Sequence, residues 1–428
     1  MYHFFYRWFW LTLILTTCSL IVYITTTSTL LMFTNTNPAA RLLSKDVSIR
    51  RRLTLGDVSS VPEKGLSNNN NSNNISRVIL LGYVRSGSTF IGHILNENPT
   101  MFYMFEPLRV SSCLAKLGVN LSDDENTNAK LLWKMMRCDF TDEIAMCFMD
   151  FDIGVHYSKN LSAILKGASD RANTDIPLSP ARMLRDICLS YNGRVGVKLI
   201  RAKLEDIKEL LEEDPNIKIL QLVRDPRGVA NSIRMSAIPL ENLTHFKRYL
   251  KGEMDARPVI RSFSSLQMIE AINSSVYWPT INKICLRWRD DLRLATARPE
   301  WLRDRYKLVR YEDFATDPIR MTNEIYSFIG EQVPIAVMEW LEDNTNVTLQ
   351  QSLESLDEGN MEVRKNSKAT AFMWRKYLSR KECYQVQIIC ADVMKILGYH
   401  MFLRERSLLD EHIPAIGPIH LDVDLICP

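Results

Sequence analysis

Short apolar runs recur along most of this chain, each followed by a turn rich in glycine, serine or proline and then by helical spacing. In the two clearest cases, Arg77–Val84 leads into Phe90–Leu95, and Ile217–Val223 leads into Val229–Met235. A strand that is apolar along its whole length is typical of a parallel sheet covered on both faces. Three more strand-like runs are Met101–Phe105, Arg194–Ile200 and Tyr306–Tyr311. The pattern predicts an α/β fold with a parallel sheet of about five strands flanked by helices.

The N-terminal pattern is different, because the 25 residues from Phe9 to Phe33 carry no charge. About 20 apolar residues cross a bilayer, so residues 9–33 are predicted to form a transmembrane signal-anchor helix after a cytosolic tail of residues 1–8. Residues 34–75 contain an asparagine run and little apolar periodicity, which is typical of a stem and not of a folded domain. Residues 76–428 are left as one large domain.

Features of the sequence favour opposite orientations of the predicted transmembrane helix. More basic residues follow the span than precede it, which by the positive-inside rule favours a cytoplasmic domain. Seven Asn-x-Ser/Thr sequons and eight of the nine cysteines also follow the span, and both favour an oxidising lumen. We expect a single-pass type II protein with residues 76–428 in the lumen.

The net charge is nearly neutral and unevenly distributed. The whole chain carries +3, of which residues 1–33 contribute +1 and residues 34–75 contribute +3, leaving −1 for residues 76–428. This balance argues against a strongly basic nucleic-acid-binding protein. If the main domain binds an anion, it must do so through local clusters of positive charge.

The first cluster is the turn Arg85-Ser86-Gly87-Ser88-Thr89. A strand, a Gly/Ser turn and a helix form the P-loop-like arrangement in which backbone N–H groups and the helix dipole face an anion. Serine stands where the lysine of an NTPase loop would reach a triphosphate, and the cation of this turn is Arg85 instead. The alternative is an ordinary tight turn in which Gly87 supplies a positive φ.

The second cluster follows the strand Ile217–Val223. Arg224 ends that strand and Ser232 lies in the next helix, so the two are predicted to bind a second phosphate through a charged pair and a hydroxyl. One alternative makes Asp225 the magnesium-binding aspartate of an NTPase. Another makes Arg224 and Asp225 a surface ion pair.

Together the two clusters resemble the donor-binding motifs of sulfotransferases that use 3′-phosphoadenosine 5′-phosphosulfate (PAPS). The matching stretches are RSGSTF at Arg85–Phe90 and LVRDPRGVANS at Leu222–Ser232. The chain more narrowly resembles the Golgi carbohydrate 6-O-sulfotransferases, over about residues 75–402. Further matching stretches are Phe102–Pro107, Leu308–Phe314 and the tail from Trp374 to Tyr399.

This resemblance implies a donor, an acceptor and a location. Arg85, Ser86, Gly87, Ser88 and Thr89 would surround the 5′-phosphosulfate of PAPS, and Arg224 and Ser232 would hold its 3′-phosphate. No metal is implied. The acceptor would be the 6-hydroxyl of a GlcNAc, Gal or GalNAc residue in a glycan or glycosaminoglycan, and the protein would reside in the Golgi membrane. The oligomeric state, a homodimer included, stays open.

Glu106 is the candidate general base, because a sugar hydroxyl must lose its proton as it attacks sulfur. It ends an apolar run and precedes Pro107, which places it at the carboxyl edge of the sheet, where open α/β sheets bind ligands. The alternative is a structural carboxylate paired with Arg109 or Arg85. Arg85 would act electrostatically on the departing phosphate.

Two further regions carry weaker signals. The basic cluster Arg364, Lys365 and Lys368 is a candidate loop over the donor or the acceptor, and its alternative is a solvated charged loop. Residues 110–190 match the family poorly and are taken as an acceptor-side insertion. The rival functions are a P-loop kinase or NTPase and a membrane-anchored glycan-binding protein without activity.

Overall fold

The core of the molecule is a five-stranded, wholly parallel β-sheet. The computed structural model describes residues 76–119, 127–149, 157–159, 161–162, 179–236, 277–345 and 366–421. Within these residues the strands lie in the order β2-β3-β1-β4-β5. Their bounds are β1 Arg77–Leu81, β2 Phe102–Phe105, β3 Val195–Leu199, β4 Ile217–Val223 and β5 Tyr306–Arg310. The sequence-based prediction of a parallel sheet of about five strands is thus confirmed.

Helices cover both faces of the sheet. Alternate residues of β1 point to opposite sides: Ile79 and Leu81 pack in one apolar cluster, while Val78 and Leu80 pack in another. Both faces of the strand are therefore buried, which is why its sequence is apolar without alternation.

The helices in the N-terminal half of the described chain lie between the strands or within the region 110–190. They are α1 Ser88–Asn96, α2 Val110–Lys116, α3 Thr127–Met136, α4 Asp142–Met149, α5 Pro180–Ser190, α6 Lys208–Glu213 and α7 Pro226–Ser236. Short 3₁₀ turns at Pro107–Arg109 and Glu205–Ile207 precede α2 and α6.

The helices of the C-terminal half precede and follow β5 in the chain. They are α8 Tyr277–Thr296, α9 Tyr311–Thr316, α10 Pro318–Ile329, α11 Ile335–Thr345, α12 Ser367–Phe372, α13 Trp374–Tyr377, α14 Arg380–Ile389, α15 Ala391–Ile396 and α16 Glu405–Leu409. A 3₁₀ turn at Glu300–Leu302 precedes β5.

Three disulfides join segments that are distant in sequence. Cys113–Cys147 and Cys138–Cys188 lie within the region 110–190, and Cys285–Cys390 links α8 to the residue before α15. Cys383 is buried and reduced. The expectation that the chain forms disulfides is confirmed for these six cysteines, while Cys18 and Cys427 lie outside the described residues.

The membrane anchor and the stem stay predictions, as does the Golgi location. Residues 1–75 lie outside the described residues. None of the helices in the described part of the chain has the length and apolar character needed to cross a bilayer.

A buried carboxylate, Asp291 on α8, ties that helix to the start of the first candidate turn. It accepts hydrogen bonds from the Tyr83 hydroxyl at 2.5 Å, the Gln221 side-chain amide at 2.8 Å and the Leu204 N–H at 3.0 Å. Burial raises the pKa of Asp291 to about 6, because the charged form loses its hydration. The folded protein therefore holds a proton on Asp291 in a pH range where the unfolded chain has released it.

This difference predicts a pH-dependent contribution to stability. Between about pH 4 and pH 6 the folded state binds more protons at Asp291 than the unfolded state does, so the free energy of unfolding decreases as pH rises. We expect Asp291→Asn to remove a pH-dependent contribution of about 2 kcal/mol across that window, measured by urea unfolding at several pH values.

The matched control is Asp186→Asn on α5, because the Asp186 side chain is 64% exposed. This control should keep the wild-type pH profile. Equal profiles in wild type and Asp291→Asn would show that Asp291 does not titrate in this range.

Candidate functional site

The turn after β1 presents a helix start to a cavity at the carboxyl edge of the sheet. Gly87 has a φ of 91°, and α1 begins at the next residue, Ser88, without a side-chain cap. The first N–H groups of a helix have no partner within the helix, so these point outward and favour an anion. Arg85 also has a positive φ, of 64°. Ser86 is fully buried, and its hydroxyl has no hydrogen-bond partner among the described residues.

The ring of Tyr311, the residue directly after β5, packs against both candidate clusters. A Cβ on Gly87 would lie 2.3 Å from Tyr311 Cδ2, so only glycine fits at that approach. The Arg224 guanidinium stacks over the same ring, 4.2 Å from its centre. Tyr311 therefore fixes the distance between the two clusters.

The second cluster brings Arg85, Arg224 and Ser232 into contact. Arg85 Nε donates to Ser232 Oγ at 2.9 Å, and Arg224 Nη1 donates to the Arg85 carbonyl at 3.1 Å. Arg224 Nε is buried and has no hydrogen-bond partner among the described residues. The sequence assigned Arg85 to the first anion and Ser232 to the second; the structure places the Arg85 side chain on the side of Ser232.

The structure does not support either alternative for Asp225. Its carboxylate accepts hydrogen bonds from Arg227 Nε at 2.9 Å and Arg227 Nη2 at 2.7 Å, and both side chains are fully buried. The surface ion pair of Arg224 with Asp225 was therefore wrong: Asp225 pairs with Arg227, and the pair is internal. Both carboxylate oxygens are engaged by this guanidinium, so the same contacts oppose the magnesium-binding interpretation.

A second buried carboxylate, Glu312, holds the start of α7. It accepts hydrogen bonds from the Asp225 N–H at 3.0 Å and the Tyr399 hydroxyl at 2.9 Å. Burial and the nearby Asp225 raise the pKa of Glu312 to about 7, against the attraction of Arg224. Glu312 positions the backbone next to Arg224 and does not line the cavity.

Glu106 lies directly after β2 with a φ of 48°, and its side chain is surrounded by cations. Lys198 Nζ lies 3.1 Å from Glu106 Oε1, Arg201 Nη1 donates to Oε2, and Arg109 Nη1 lies 3.9 Å from Oε2. Burial alone would raise the pKa of Glu106, but the positive charges of Lys198 and Arg201 outweigh it and lower the pKa. Arg109, which the sequence suggested as an ion-pair partner of Glu106, lies near it, but Lys198 and Arg201 are closer.

Lys198, on β3, connects Glu106 to the first turn. Its side chain is 2% exposed, and Nζ donates to Thr89 Oγ1 at 3.0 Å as well as contacting Glu106. It also lies 3.7 Å from the centre of the Phe105 ring. A single buried ammonium group thus touches both the anion-facing turn and the candidate base.

These side chains surround one cavity of about 220 Å³. The sequence-predicted residues that line it are Arg85, Gly87, Ser88, Thr89, Glu106, Arg224 and Ser232. Lys368 is exposed on α12 between two lining residues, Ser367 and Thr370, and does not itself line the cavity. Arg364 and Lys365 lie outside the described residues.

Sequence reasoning missed Lys198, Arg201 and Tyr311. The sequence pattern could have indicated a special role for Lys198, because it is the only charged residue in the otherwise apolar Val195–Leu199. A lysine buried in a sheet needs a partner. The pattern gave no such indication for Arg201, because an arginine just after a strand is common at protein surfaces. His93 on α1 is a packing residue, because its ring stacks on the Trp340 ring with centres 4.7 Å apart.

Comparison with known proteins identifies the family of the chain. Residues 76–398 match the family model described as the sulfotransferase domain. Carbohydrate sulfotransferase 1 of Mus musculus is 29% identical, with 81% of this chain and 84% of that protein covered. Carbohydrate sulfotransferase 5 of Homo sapiens is 27% identical over 80% of this chain and 83% of that protein. Among solved structures, the sulfotransferase domain from the Curacin biosynthetic pathway aligns with a TM-score of 0.35 and 16% identity, covering 74% of this chain and 97% of that chain.

The contact between Gly87 and Tyr311 predicts an unusually costly glycine substitution. Gly87→Ala adds a methyl group at positive φ and drives it into the Tyr311 ring, so we expect a loss of about 2–4 kcal/mol in the free energy of unfolding. Urea unfolding monitored by circular dichroism measures this loss.

Gly118→Ala is the matched control, because Gly118 has a φ of 73° and open space where a Cβ would lie. It should cost only the backbone strain, about 1 kcal/mol. Equal losses in the two variants would mean that Tyr311 moves aside without cost.

Proposed function

Since the chain belongs to the sulfotransferase-domain family, we propose that it transfers the sulfuryl group of PAPS to a hydroxyl of a sugar. The relatives just described carry the name carbohydrate sulfotransferase, which supports a glycan as the acceptor. The resemblance described from the sequence narrows the proposal to the 6-hydroxyl of GlcNAc, Gal or GalNAc. The observation that carries the proposal is the chain of contacts from Thr89 through Lys198 to Glu106.

The residues of the cavity fit the two anionic ends of PAPS. The start of α1, with Gly87, Ser88 and Thr89, would hold the phosphosulfate through backbone N–H groups and hydroxyls. Arg224, Arg85 and Ser232 would hold the 3′-phosphate. Arg224 Nε is buried and lacks a partner among the described residues, which is costly unless a ligand accepts its hydrogen bond.

The chemical roles follow from the same contacts. PAPS supplies a sulfuryl group on a phosphate that leaves. Glu106 takes the proton of the attacking sugar hydroxyl while a new O–S bond forms and the S–O bond to phosphate breaks. Lys198, held against Thr89, balances the negative charge that develops at the turn. Lys198 thereby takes over the electrostatic role expected of Arg85, whose guanidinium lies at Ser232.

The rival functions make different demands on the same residues. A kinase or NTPase needs a magnesium-binding carboxylate, and the contacts of Asp225 with Arg227 oppose this. A glycan-binding protein without activity would need neither a carboxylate nor a buried lysine beside the turn. The pairing of Glu106 with Lys198 therefore favours a catalytic site.

The proposal predicts a transferase that depends on Glu106. Purified protein given ³⁵S-labelled PAPS and a panel of glycans should label at least one glycan. Glu106→Gln keeps the shape of the side chain but cannot take a proton, so we expect kcat to fall by about 10²–10⁴-fold. Binding of the product nucleotide, measured by calorimetry, should persist.

Glu97→Gln is the matched control, because Glu97 is also a largely buried glutamate paired with a lysine, Lys159, but it does not line the cavity. This control should keep its turnover. Normal turnover by Glu106→Gln would place the base elsewhere, and nucleotide binding without transfer to any glycan would leave the binding-protein alternative.

A second prediction concerns Lys198. Lys198→Met removes the cation at the turn, so we expect kcat to fall by about 10²–10³-fold. The same change removes the charge that lowers the pKa of Glu106, so the acidic limb of the pH profile of kcat/KM should move to higher pH. Steady-state kinetics from the lowest pH at which the protein stays folded up to about pH 8 reads out both effects, because the acidic limb of the wild type lies below the usual pKa of a glutamate.

Lys218→Met on β4, which β1 separates from β3, is the control, because the Lys218 ammonium group contacts the Asp304 carbonyl and does not line the cavity. Lys198→Arg should recover part of the rate because it keeps the positive charge. A loss of kcat in Lys198→Met with an unmoved pH profile would mean a structural role for Lys198.

A further inference from the structure

The two oxygens of Glu106 face different surroundings. Oε1 faces Lys198, which is buried and touches the donor-binding turn through Thr89. Oε2 faces Arg201, whose side chain is 47% exposed, and Arg109, whose side chain is 34% exposed. One side of the carboxylate therefore meets the proposed donor site, and the other meets two arginines that are open to solvent.

Proton transfer changes the charge balance on the Oε2 side. While Glu106 is ionised, its negative charge offsets part of the positive charge of Arg201 and Arg109. When Glu106 takes the proton of the acceptor, that negative charge disappears and two guanidinium groups remain next to a neutral acid. The positive charges of Lys198 and Arg201 also lower the pKa of Glu106 beforehand. Glu106 accepts a proton more readily if the acceptor carries a negative charge that offsets the charges of the two arginines.

Arg201 and Arg109 lie where an anionic group of the acceptor could replace Glu106 as their partner. Arg109 lines the cavity, and Arg201 follows Ile200, another lining residue. Arginine binds carboxylate and sulfate oxygens through a planar fork of N–H donors, and each charge-assisted bond is stronger than a neutral one. An anion that engages Arg201 would also release Glu106 from it.

We propose that Arg201 and Arg109 form an acceptor subsite for an anionic group, a carboxylate or a sulfate ester, close to the hydroxyl that receives the sulfuryl group. This inference rests on the proposed function and narrows its acceptor to acidic glycans. The subsite makes Arg201 a specificity-determining residue that also positions Glu106.

The test compares acceptors that differ only in charge. One pair is a desulfated chondroitin hexasaccharide and its carboxyl-reduced form; the other is an N-acetyllactosamine oligomer with and without a sulfate ester. We expect at least one anionic member to have a kcat/KM at least about tenfold above its neutral partner, mostly through KM. The two pairs distinguish a carboxylate from a sulfate ester, and the preference should shrink as salt is raised.

The same ratios measured in the double variant Arg201→Gln/Arg109→Gln assign the preference to these side chains. The ratio should fall to within about twofold of unity, and Arg201→Lys alone should keep part of it because the charge remains. Arg182→Gln is the control, because Arg182 is 72% exposed and does not line the cavity. Binding of the product nucleotide confirms that each variant is folded.

Each outcome bears on a different claim. Transfer to neutral and anionic acceptors at equal rates would overturn the subsite and leave the sulfotransferase proposal intact. A preference that survives in the double variant would place the anion elsewhere and overturn the subsite as well. Failure to transfer to any acceptor would instead contradict the proposed function.

Discussion

The site depends on how the protein accommodates a lysine buried in a parallel sheet. Lys198 is 2% exposed, and an ammonium group in that position is costly unless it is paired and hydrogen-bonded. Glu106 provides the charge and Thr89 provides a hydroxyl, so the three residues must meet at the carboxyl ends of β2, β3 and β1. The requirement to satisfy one internal charge thus places the candidate base beside the anion-facing turn.

The second anion site depends on internal charge in the same way. Arg227 is fully buried and satisfies its donors with Asp225, the Gln387 side chain and the His400 carbonyl. Its guanidinium also stacks on Trp374, 4.0 Å from the ring centre. These contacts hold the first turn of α7 rigidly, and Arg224 precedes that turn. A network of buried charged and polar side chains therefore determines where the Arg224 charge lies at the cavity.

The sequence predicted the parts of this arrangement that follow from local pattern. All five strands, and the helices that follow β1 and β4, come from apolar runs and their spacing. The partners of Asp225 and Glu106 could not be predicted, because they depend on which charged side chains the fold brings together across the sheet. Asp225 is two residues from Arg227, yet the pair is internal only because α14 and Phe402 cover it. Strand order decides such contacts, and one sequence does not specify strand order by its periodicity.

The contact of Arg227 with His400 spans 173 residues of sequence, and the disulfide Cys285–Cys390 closes a separation of 105 residues. Contacts between such distant segments form late, because the chain must first close a long loop. During synthesis, the segment Leu222–Ser232 leaves the ribosome well before its partners in α14 and around His400 exist. The second anion-binding cluster therefore stays incomplete until these later segments have been synthesised. The first turn also depends on later segments, since β1 pairs with β3 and β4, and β2 pairs with β3.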